Sequence, residues 1–308
     1  MELIRPARPM AARERLARLA FARDSLLCRE AQGFTPARQD LFLATYMAMR
    51  VIDDHVDRSP EENRGQDNPV LAEIDRWREA VRMAADGRTT STDMTAHPSS
   101  DPSLEEDILS LLAATLPHAG LGDRPWDALA EAMRFDARGL ELQSFADFLA
   151  YAEGATVAPT YIFVWLLACD EHAGRLSARA ANDRLWELAR PMATSCYIAH
   201  IMRDLVEDAR EGAALLTIPF ELYGDLANDR NELAMRLTAE EQPLVNVLRS
   251  RLFDHLVSGR AETTAARLEL GALLDDEADA RLARILDHYH RCALDLAPGR
   301  GVDALGLS

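Results

Sequence analysis

The sequence predicts an all-α protein folded as a helical bundle. Apolar residues recur at helical spacing along most of the 308 residues, glycine and proline are sparse, and no stretch alternates polar and apolar residues between turn residues as a strand would. Alanine, leucine, arginine and glutamate, all good helix formers, are abundant. The candidate helices span about 10–30, 36–57, 69–86, 103–116, 124–142, 145–168, 177–190, 191–211, 231–257, 262–271 and 276–295.

We expect residues 1–308 to form one helical domain. The polar stretch at about 86–103, rich in Ser, Thr and Pro, is interpreted as a surface loop because the apolar helices on both sides are typical of one bundle. Residues from about 297 to 308 are expected to form a loose tail.

Charge and cysteine content narrow the function classes. The formal net charge is -17, which argues against a nucleic-acid partner because such a partner requires a basic face. An anionic substrate is not excluded, since bound metal ions reverse the local sign of charge. The four cysteines are scattered without metal-ligand spacing, as expected of reduced thiols in the cytoplasm.

The sequence contains no candidate membrane span. The longest apolar stretch, Ala155 to Cys169, is interrupted by Pro159 and is too short to cross a bilayer. The N-terminal residues lack the apolar segment of a signal peptide. We expect a cytoplasmic protein, with peripheral membrane contact left open if its substrate is apolar. The oligomeric state is not predicted.

The first chemical motif is Asp53-Asp-His-Val-Asp57, at the end of an apolar helix. Tyr46, Arg50, Asp53 and Asp57 are spaced by four, three and four residues, so they line one helix face. Two carboxylates one turn apart repel each other, and a bridging Mg²⁺ would remove that repulsion. Arg50 is placed to bind phosphate oxygens beside the metal. The alternative is a solvated acidic helix end.

A second apolar helix repeats this pattern about 150 residues later. Tyr197, His200, Asp204 and Asp208 share one stripe, with Arg203 next to Asp204. Two such helices facing each other would hold several metal ions around one diphosphate, whose departure leaves an allylic cation. The apolar interior of the bundle would exclude water from that cation.

With both motifs identified, the chain resembles the squalene/phytoene synthase family, the head-to-head prenyl synthases with the class I isoprenoid-synthase fold. The matching residues are Tyr46, Arg50, Asp53 and Asp57 in the first signature, Arg203, Asp204, Glu207 and Asp208 in the second, and Asp136 with Tyr151 between them. Ser25 is similar to a serine that the family carries near its N-terminus, one residue out of register.

The resemblance implies a single-domain bundle with a central active-site cavity and a set of site residues. It implies Mg²⁺, as several ions, at Asp53, Asp57, Asp204 and Asp208, with diphosphate contacts from Arg50 and Arg203. Substrate contacts are also expected from Ser25, Tyr197 and His200. Tyr46 and Tyr151 would lie near the reacting carbons, and Asp53 and Asp204 would serve catalysis as metal ligands. Some family members use NADPH, which nothing in this sequence indicates.

Several residues depart from the family pattern. Tyr197 and His200 stand where the family usually has Gln and Asn, and Pro159 and Thr160 replace a small residue and a glycine. The Gly-Arg-x-Tyr-Leu-Pro segment becomes Gly212-Ala-Ala-Leu-Leu-Thr-Ile-Pro219, without Arg or Tyr. These departures fall where the second substrate is expected.

Three functions therefore remain open. The first is a transferase that condenses two farnesyl or geranylgeranyl diphosphates head-to-head. The second is a divergent member of the same fold that ionises one prenyl diphosphate and then cyclises or transfers it. The third is a non-catalytic helical scaffold. Substrate chain length and product are not predicted.

Overall fold

The computed structural model describes residues 7–23, 25–58, 65, 68–88 and 102–297, and confirms the all-α prediction. The long helices surround a buried interior. In chain order they are α1 (Ala7–Phe21), α2 (Leu26–Ala31), α3 (Pro36–Asp57), α4 (Val70–Ala85), α5 (Pro102–Thr115), α6 (Arg124–Ala137), α7 (Phe145–Ala152), α8 (Ala158–Leu167), α9 (Asn182–Glu211), α10 (Arg230–Thr238), α11 (Gln242–Gly271) and α12 (Asp276–Leu296). Short 3-10 turns cover Leu116–His118, Ala213–Leu215 and Phe220–Leu222.

Side-chain caps fix the starts of several helices. Ser144 caps α7 by accepting from the Asp147 backbone N–H, while the Asp147 carboxylate accepts from the Ser144 backbone N–H. Asp229 and Asp275 cap α10 and α12. In each case the side chain accepts a hydrogen bond from the backbone N–H of the third residue further along. Pro36 lies in the first turn of α3, where its missing N–H costs no helical hydrogen bond.

One small hairpin departs from the predicted helices. Strands β1 (Cys169–His172) and β2 (Arg175–Ala178) pair antiparallel, with Cys169 opposite Ala178. Ala173 and Gly174 both have positive φ, as a two-residue hairpin turn requires. The predicted helix 177–190 therefore begins only at Asn182.

Other helix boundaries also differ from the prediction. The expected helix 10–30 is broken between α1 and α2, and 145–168 is broken by a π-helical turn at Glu153–Val157. Pro191 lies inside α9, which runs unbroken through the two helices expected there. The expected helix 231–257 divides into α10 and the start of α11, and α11 also contains 262–271.

The buried apolar residues form two clusters that meet along α9. The first cluster contains residues from each of the helices α1 through α6, from α8 and from the N-terminal half of α9. It includes four fully buried tryptophans. The second joins the C-terminal half of α9 to α10, α11 and part of α12. Tyr151 and Tyr289 pack against both clusters, so a space between the clusters is bordered by both rings.

Two predictions concern segments that lie largely outside the described residues. They are the loop at about 86–103 and the tail at about 297–308. The single-domain organisation stays a prediction. Among the described helices, none combines the length and apolar character needed to cross a membrane.

Candidate active site

A cavity of about 410 Å³ lies where the two apolar clusters meet. It is lined by side chains from α2, α3, α6 to α9 and α12, together with the π-helical turn and the segment after α9. Its charged and tyrosine residues are Arg50, Asp53, Asp57, Asp136, Tyr151, Tyr197, His200, Asp208, Glu211 and Tyr289. Acidic residues from both predicted motifs therefore reach one space, as the sequence predicts.

In the first motif, Asp53 and Asp57 line the cavity together with Arg50. The Arg50 guanidinium donates to the carboxylates of both Asp53 and Asp54. Its Nε–H is buried and has no hydrogen-bond partner within the described part of the chain. A buried donor that lacks a partner is costly, while the terminal nitrogens of this guanidinium are held by Asp53 and Asp54 at the cavity.

The remaining residues of this motif are turned away from the cavity. The Asp54 carboxylate pairs with Arg23 at 2.6 Å and with Arg58 at 3.6 Å. His55 pairs with Glu73 on α4, as expected of a histidine off the acidic face. These contacts tie the end of α3 to its neighbours and so fix the direction of the Asp53 and Asp57 side chains.

The second motif is arranged differently. Asp208 and His200 line the cavity, but Arg203 and Asp204 are not among its lining residues. Arg203 holds Asp204 by two hydrogen bonds, from Nε to Oδ1 at 2.6 Å and from Nη2 to Oδ2 at 2.7 Å. Arg203 Nη2 also lies 2.7 Å from His200 Nδ1, and His200 Nε2 lies 3.4 Å from Asp204. Arg203, Asp204 and His200 therefore form one hydrogen-bonded group.

The electrostatics of the acidic residues differ accordingly. Burial raises the pKa of Asp53 against the opposing effect of Arg50. Burial, followed by the charges of Asp204, Glu211 and other acids nearby, raises the pKa of Asp208 to about 7. Burial opposes ionisation of Asp204 too, but the hydrogen bonds and charge of Arg203, helped by His200, leave its pKa lowered. The negative charge at Asp208 is thus the poorly compensated one.

The donor atoms suit Mg²⁺ shared with a bound ligand. Within the described ranges, no three His, Cys, Asp or Glu side chains are close enough to hold a metal ion by themselves. Mg²⁺ is usually held by one or two carboxylates plus substrate phosphate oxygens and water, so a complete protein cage is not required. Asp53, Asp57 and Asp208 supply carboxylate oxygens from two sides of the cavity.

A hydrogen-bonded polar group lies elsewhere on the cavity wall. The Tyr151 hydroxyl donates to Asp136 at 2.9 Å, and the Tyr197 hydroxyl donates to Thr217 at 3.3 Å. The two tyrosine hydroxyls are also within hydrogen-bonding reach of each other. Burial raises the pKa of both phenols, so both stay protonated at neutral pH. Asp136 was missed as a site residue, although its spacing to Tyr151 was a signal.

An apolar side pocket of about 110 Å³ opens next to the cavity and shares Arg50 and Asp53 with it. Tyr46 lies in this pocket, stacked on Phe42 with ring centroids 5.3 Å apart. Ser25 is not a lining residue of either space, but its hydroxyl, like the Cys28 thiol, is within hydrogen-bonding reach of the Tyr46 hydroxyl. Ser25 is therefore placed to orient the Tyr46 ring.

Helix α12 supplies a wall that the motif analysis missed. Leu282, Ile285, Leu286 and Tyr289 line the cavity from the buried stripe of this helix. The amphipathic pattern of α12 was visible in the sequence, but nothing local distinguishes a stripe that borders a cavity from one that packs in a core. Phe163 of α8 is a similar case.

The departures from the family pattern are brought together in the cavity. Pro159, Thr160, Tyr197, His200 and Leu215 line the same space, as does Thr217 of the altered segment after Gly212, whereas Leu216 does not. Two of them, Tyr197 and Thr217, are hydrogen-bonded to each other. The altered residues therefore form a connected part of the wall.

Comparison with known proteins identifies the family of the chain. The sequence profile of the squalene/phytoene synthase family matches residues 31–292, so the chain belongs to that family. A search of curated proteins finds no sequence match. At the level of the family, the chain is a prenyl-transferring enzyme.

Solved structures share the fold at low sequence identity. The crystal structure of squalene synthase HpnC from Alicyclobacillus acidocaldarius has a TM-score of 0.66 and 18% identity, over 95% of each chain. A dehydrosqualene synthase in complex with a ligand has a TM-score of 0.62 and 14% identity, over 91% of this chain and 84% of that one. The complex of TcSQS with a ligand has a TM-score of 0.54 and 13% identity, over 96% and 95%.

Proposed function

We propose that this protein is a Mg²⁺-dependent prenyltransferase that condenses two prenyl diphosphates head-to-head. The substrate class is an allylic prenyl diphosphate, farnesyl or geranylgeranyl, and inorganic diphosphate is released. The observation that carries the proposal is the meeting of both acidic helices at one cavity, where Asp53 and Asp57 face the same space as Asp208.

The polar end of the cavity supports diphosphate binding. Arg50 lines the cavity beside Asp53 and Asp57, and a guanidinium is a suitable donor to phosphate oxygens. The carboxylates beside it would repel a free diphosphate, so divalent cations are needed to reverse the local charge. When bound, Mg²⁺ would neutralise the leaving diphosphate and so ease breakage of the carbon–oxygen bond.

The rest of the cavity suits an apolar chain and a cation. The side pocket around Phe42 and Tyr46, and the wall of α12, offer apolar surface for prenyl groups. Burial in this space keeps water from the allylic cation. The rings of Tyr151 and Tyr197 would stabilise positive charge through their faces, while their hydroxyls stay protonated.

A second candidate is ionisation of one prenyl diphosphate followed by cyclisation or transfer. The connected set of departures in the cavity wall, including the Tyr197–Thr217 pair, favours it. Within the part of the chain that the structure describes, Arg50 is also the only arginine that lines the main cavity, whereas head-to-head condensation must hold two diphosphates.

Product identification separates these candidates. The protein is incubated with farnesyl or geranylgeranyl diphosphate and Mg²⁺, with and without NADPH. A product with twice the carbon number of the substrate supports condensation, and one with the same carbon number supports the second candidate. Asp53→Ala and Asp208→Ala are each expected to abolish turnover, and activity retained in either variant would contradict metal binding by both motifs.

A non-catalytic scaffold is tested by melting temperature. A catalytic site predicts that a farnesyl diphosphate analogue raises the melting temperature only when Mg²⁺ is present. No such shift, together with no product, would leave the scaffold as the better explanation.

A further inference from the structure

The π-helical turn at Glu153–Val157 is placed at the cavity wall. The Ala158 backbone N–H donates to the Glu153 carbonyl, five residues back, instead of four as in an α-helix. Such turns insert one extra residue and rotate everything that follows around the helix axis. Pro159, which has no N–H to donate, follows immediately and disfavours a regular α-helical bond there.

The turn lies within the stretch of helix that lines the cavity. Ala155 and Thr156 line it from within the turn, and Pro159, Thr160, Phe163 and Val164 line it from α8. Removing the π-helical register would rotate the later residues by about 100° relative to Tyr151, because each residue of an α-helix turns the chain by that angle.

Two contacts outside the cavity hold the turn in place. Gly154 packs so closely on α6 that a Cβ atom would lie 2.1 Å from the carbonyl oxygen of Ala128. Glu153 points to α9, where its Oε1 accepts from Arg190 Nε and its Oε2 accepts from Arg190 Nη2 at 3.2 Å. The indole N–H of Trp186, a buried residue, donates to the same Oε2 at 2.8 Å.

We propose that Glu153 is a positioning residue, whose clamp by Arg190 and Trp186 holds the π-helical register and thereby sets the wall that recognises the prenyl chain. The inference rests on the proposed function for the identity of the substrate. Glu153 does not line the cavity and therefore does not touch the substrate itself. Its effect is transmitted through Ala155, Thr156 and the residues after them.

The test compares two ligands that differ in the chain. Farnesyl thiolodiphosphate occupies both the metal site and the wall, whereas inorganic pyrophosphate occupies only the metal site. In Glu153→Ala, with Mg²⁺ present, we expect the Kd of the thiolodiphosphate to rise about tenfold, as a small misplacement of the wall predicts. The Kd of pyrophosphate should stay within about twofold because Asp53, Asp57 and Asp208 are untouched.

Hydrogen–deuterium exchange in the ligand-free protein tests the clamp directly. Glu153→Ala should speed exchange in peptides covering residues 153–164, including the amide of Ala158. Glu153→Gln should show smaller changes in exchange and in affinity, because its amide oxygen still accepts from Trp186. Arg190→Gln provides a second route to the same result if the alanine variant does not fold, since it leaves the Glu153–Trp186 bond in place.

Glu269→Gln is the matched control. Glu269 on α11 accepts two hydrogen bonds from Arg184, another arginine of α9. Arg184 is about as exposed as Arg190, Glu269 is more exposed than Glu153, and neither Arg184 nor Glu269 lines the cavity. The Glu269→Gln variant should change neither the affinity for the two ligands nor hydrogen–deuterium exchange at residues 153–164.

The outcomes separate the clamp from the proposed function. Unchanged hydrogen–deuterium exchange in both Glu153→Ala and Arg190→Gln would overturn the clamp. Faster exchange together with an equal loss of affinity for the two ligands would overturn the role of the clamp in recognising the prenyl chain. If wild-type protein binds pyrophosphate but not the thiolodiphosphate, the prenyl substrate is wrong and the proposal falls with it. If neither ligand binds, the proposed function fails, and so does the recognition role.

Discussion

The two aspartates of each acidic motif are four residues apart in the sequence, but the two motifs make different contacts in the structure. On α3, Asp53 faces the cavity and shares Arg50 with Asp54. On α9, Asp204 is held by the adjacent Arg203 and is not among the cavity-lining residues, which leaves Asp208 as the carboxylate of that motif in the cavity. The position of the arginine relative to the first aspartate makes the difference.

This difference follows from helix geometry. Arg50 lies one turn before Asp53, on the same face, so its guanidinium reaches Asp53 at the cavity. Arg203 directly precedes Asp204, so the two side chains leave the helix in different directions, and Arg203 folds back in an exposed position to bind its neighbour. We therefore expect the α3 motif to dominate diphosphate binding.

The largest effect is expected for Asp53→Asn. Losing a carboxylate that faces the cavity should lower kcat/KM by about 10²- to 10³-fold, comparable with the loss of a group that stabilises transition-state charge. Steady-state release of diphosphate from farnesyl diphosphate measures this. Asp54→Asn is the control on the same helix, since Asp54 does not line the cavity and the asparagine keeps an oxygen that can accept from its partners Arg23 and Arg50. Equal losses in both variants would contradict the distinction between their side chains.

The next effect concerns pH and Asp208. Its pKa is raised to about 7 by burial and by the acids around it, so its proton must leave before Mg²⁺ binds. Thermal stabilisation by Mg²⁺ with pyrophosphate should therefore grow as the pH rises through about 7. In metal-free protein the sign is opposite: Asp208 contributes stability below its unfolded pKa of about 3.9, and this is lost as the pH rises through about 7.

Asp208→Asn tests both pH effects. The variant should flatten the dependence of thermal stability on pH with and without Mg²⁺. Glu207→Gln changes an exposed neighbour outside the cavity lining that is only one of several acids raising the Asp208 pKa, so it should keep this dependence and shift it slightly to lower pH. A wild-type pH profile in Asp208→Asn would assign the titration to another group.

Much of the fold was predictable because helical periodicity is a local signal. The stripe from Tyr46 to Asp57 was correctly placed on one helix that reaches the cavity. The hairpin at 169–178 was not predictable, since its strands are short and do not alternate in burial. Pro159 marked a break, but the π-helical register depends on Arg190 and Trp186, which are distant in sequence.

The site was predictable to the extent that motifs carry it. The spacing singled out Asp53, Asp57 and Asp208, which line the cavity, whereas the wall formed by α12 depends on tertiary packing. The side chain of Asp204 illustrates the limit: its spacing to Asp208 places both on one face, yet a hydrogen-bonded arginine decides where its carboxylate lies.

Replacing each of the two arginines with glutamine should have smaller effects on kcat/KM, and these effects compare the two motifs directly. Arg50→Gln removes the guanidinium that lines the cavity and should lower kcat/KM by about 10²-fold, mainly through a higher KM. Arg203→Gln should cost about tenfold or less, because Arg203 acts on the substrate site through Asp204 and His200. Steady-state kinetics with farnesyl diphosphate measure both variants. A larger loss in Arg203→Gln would reverse the order of the two motifs.

The smallest effect is expected where the two stripes begin, at Tyr46 and Tyr197. Tyr197→Phe keeps the ring stacked between Phe148 and His200 but removes the hydrogen bond to Thr217, so unfolding should become easier by about 0.5–1.5 kcal/mol.

If Tyr197 acts through its ring, kcat/KM should change by less than about threefold and the product should stay the same. Steady-state kinetics and product analysis measure these two quantities, and denaturant unfolding measures the change in stability. Tyr46→Phe is the counterpart on α3, where the hydroxyl interacts with Ser25 and Cys28. A changed product in Tyr197→Phe, with Tyr46→Phe unaffected, would show that the Tyr197 hydroxyl acts on the cation and that the α9 stripe directs its fate.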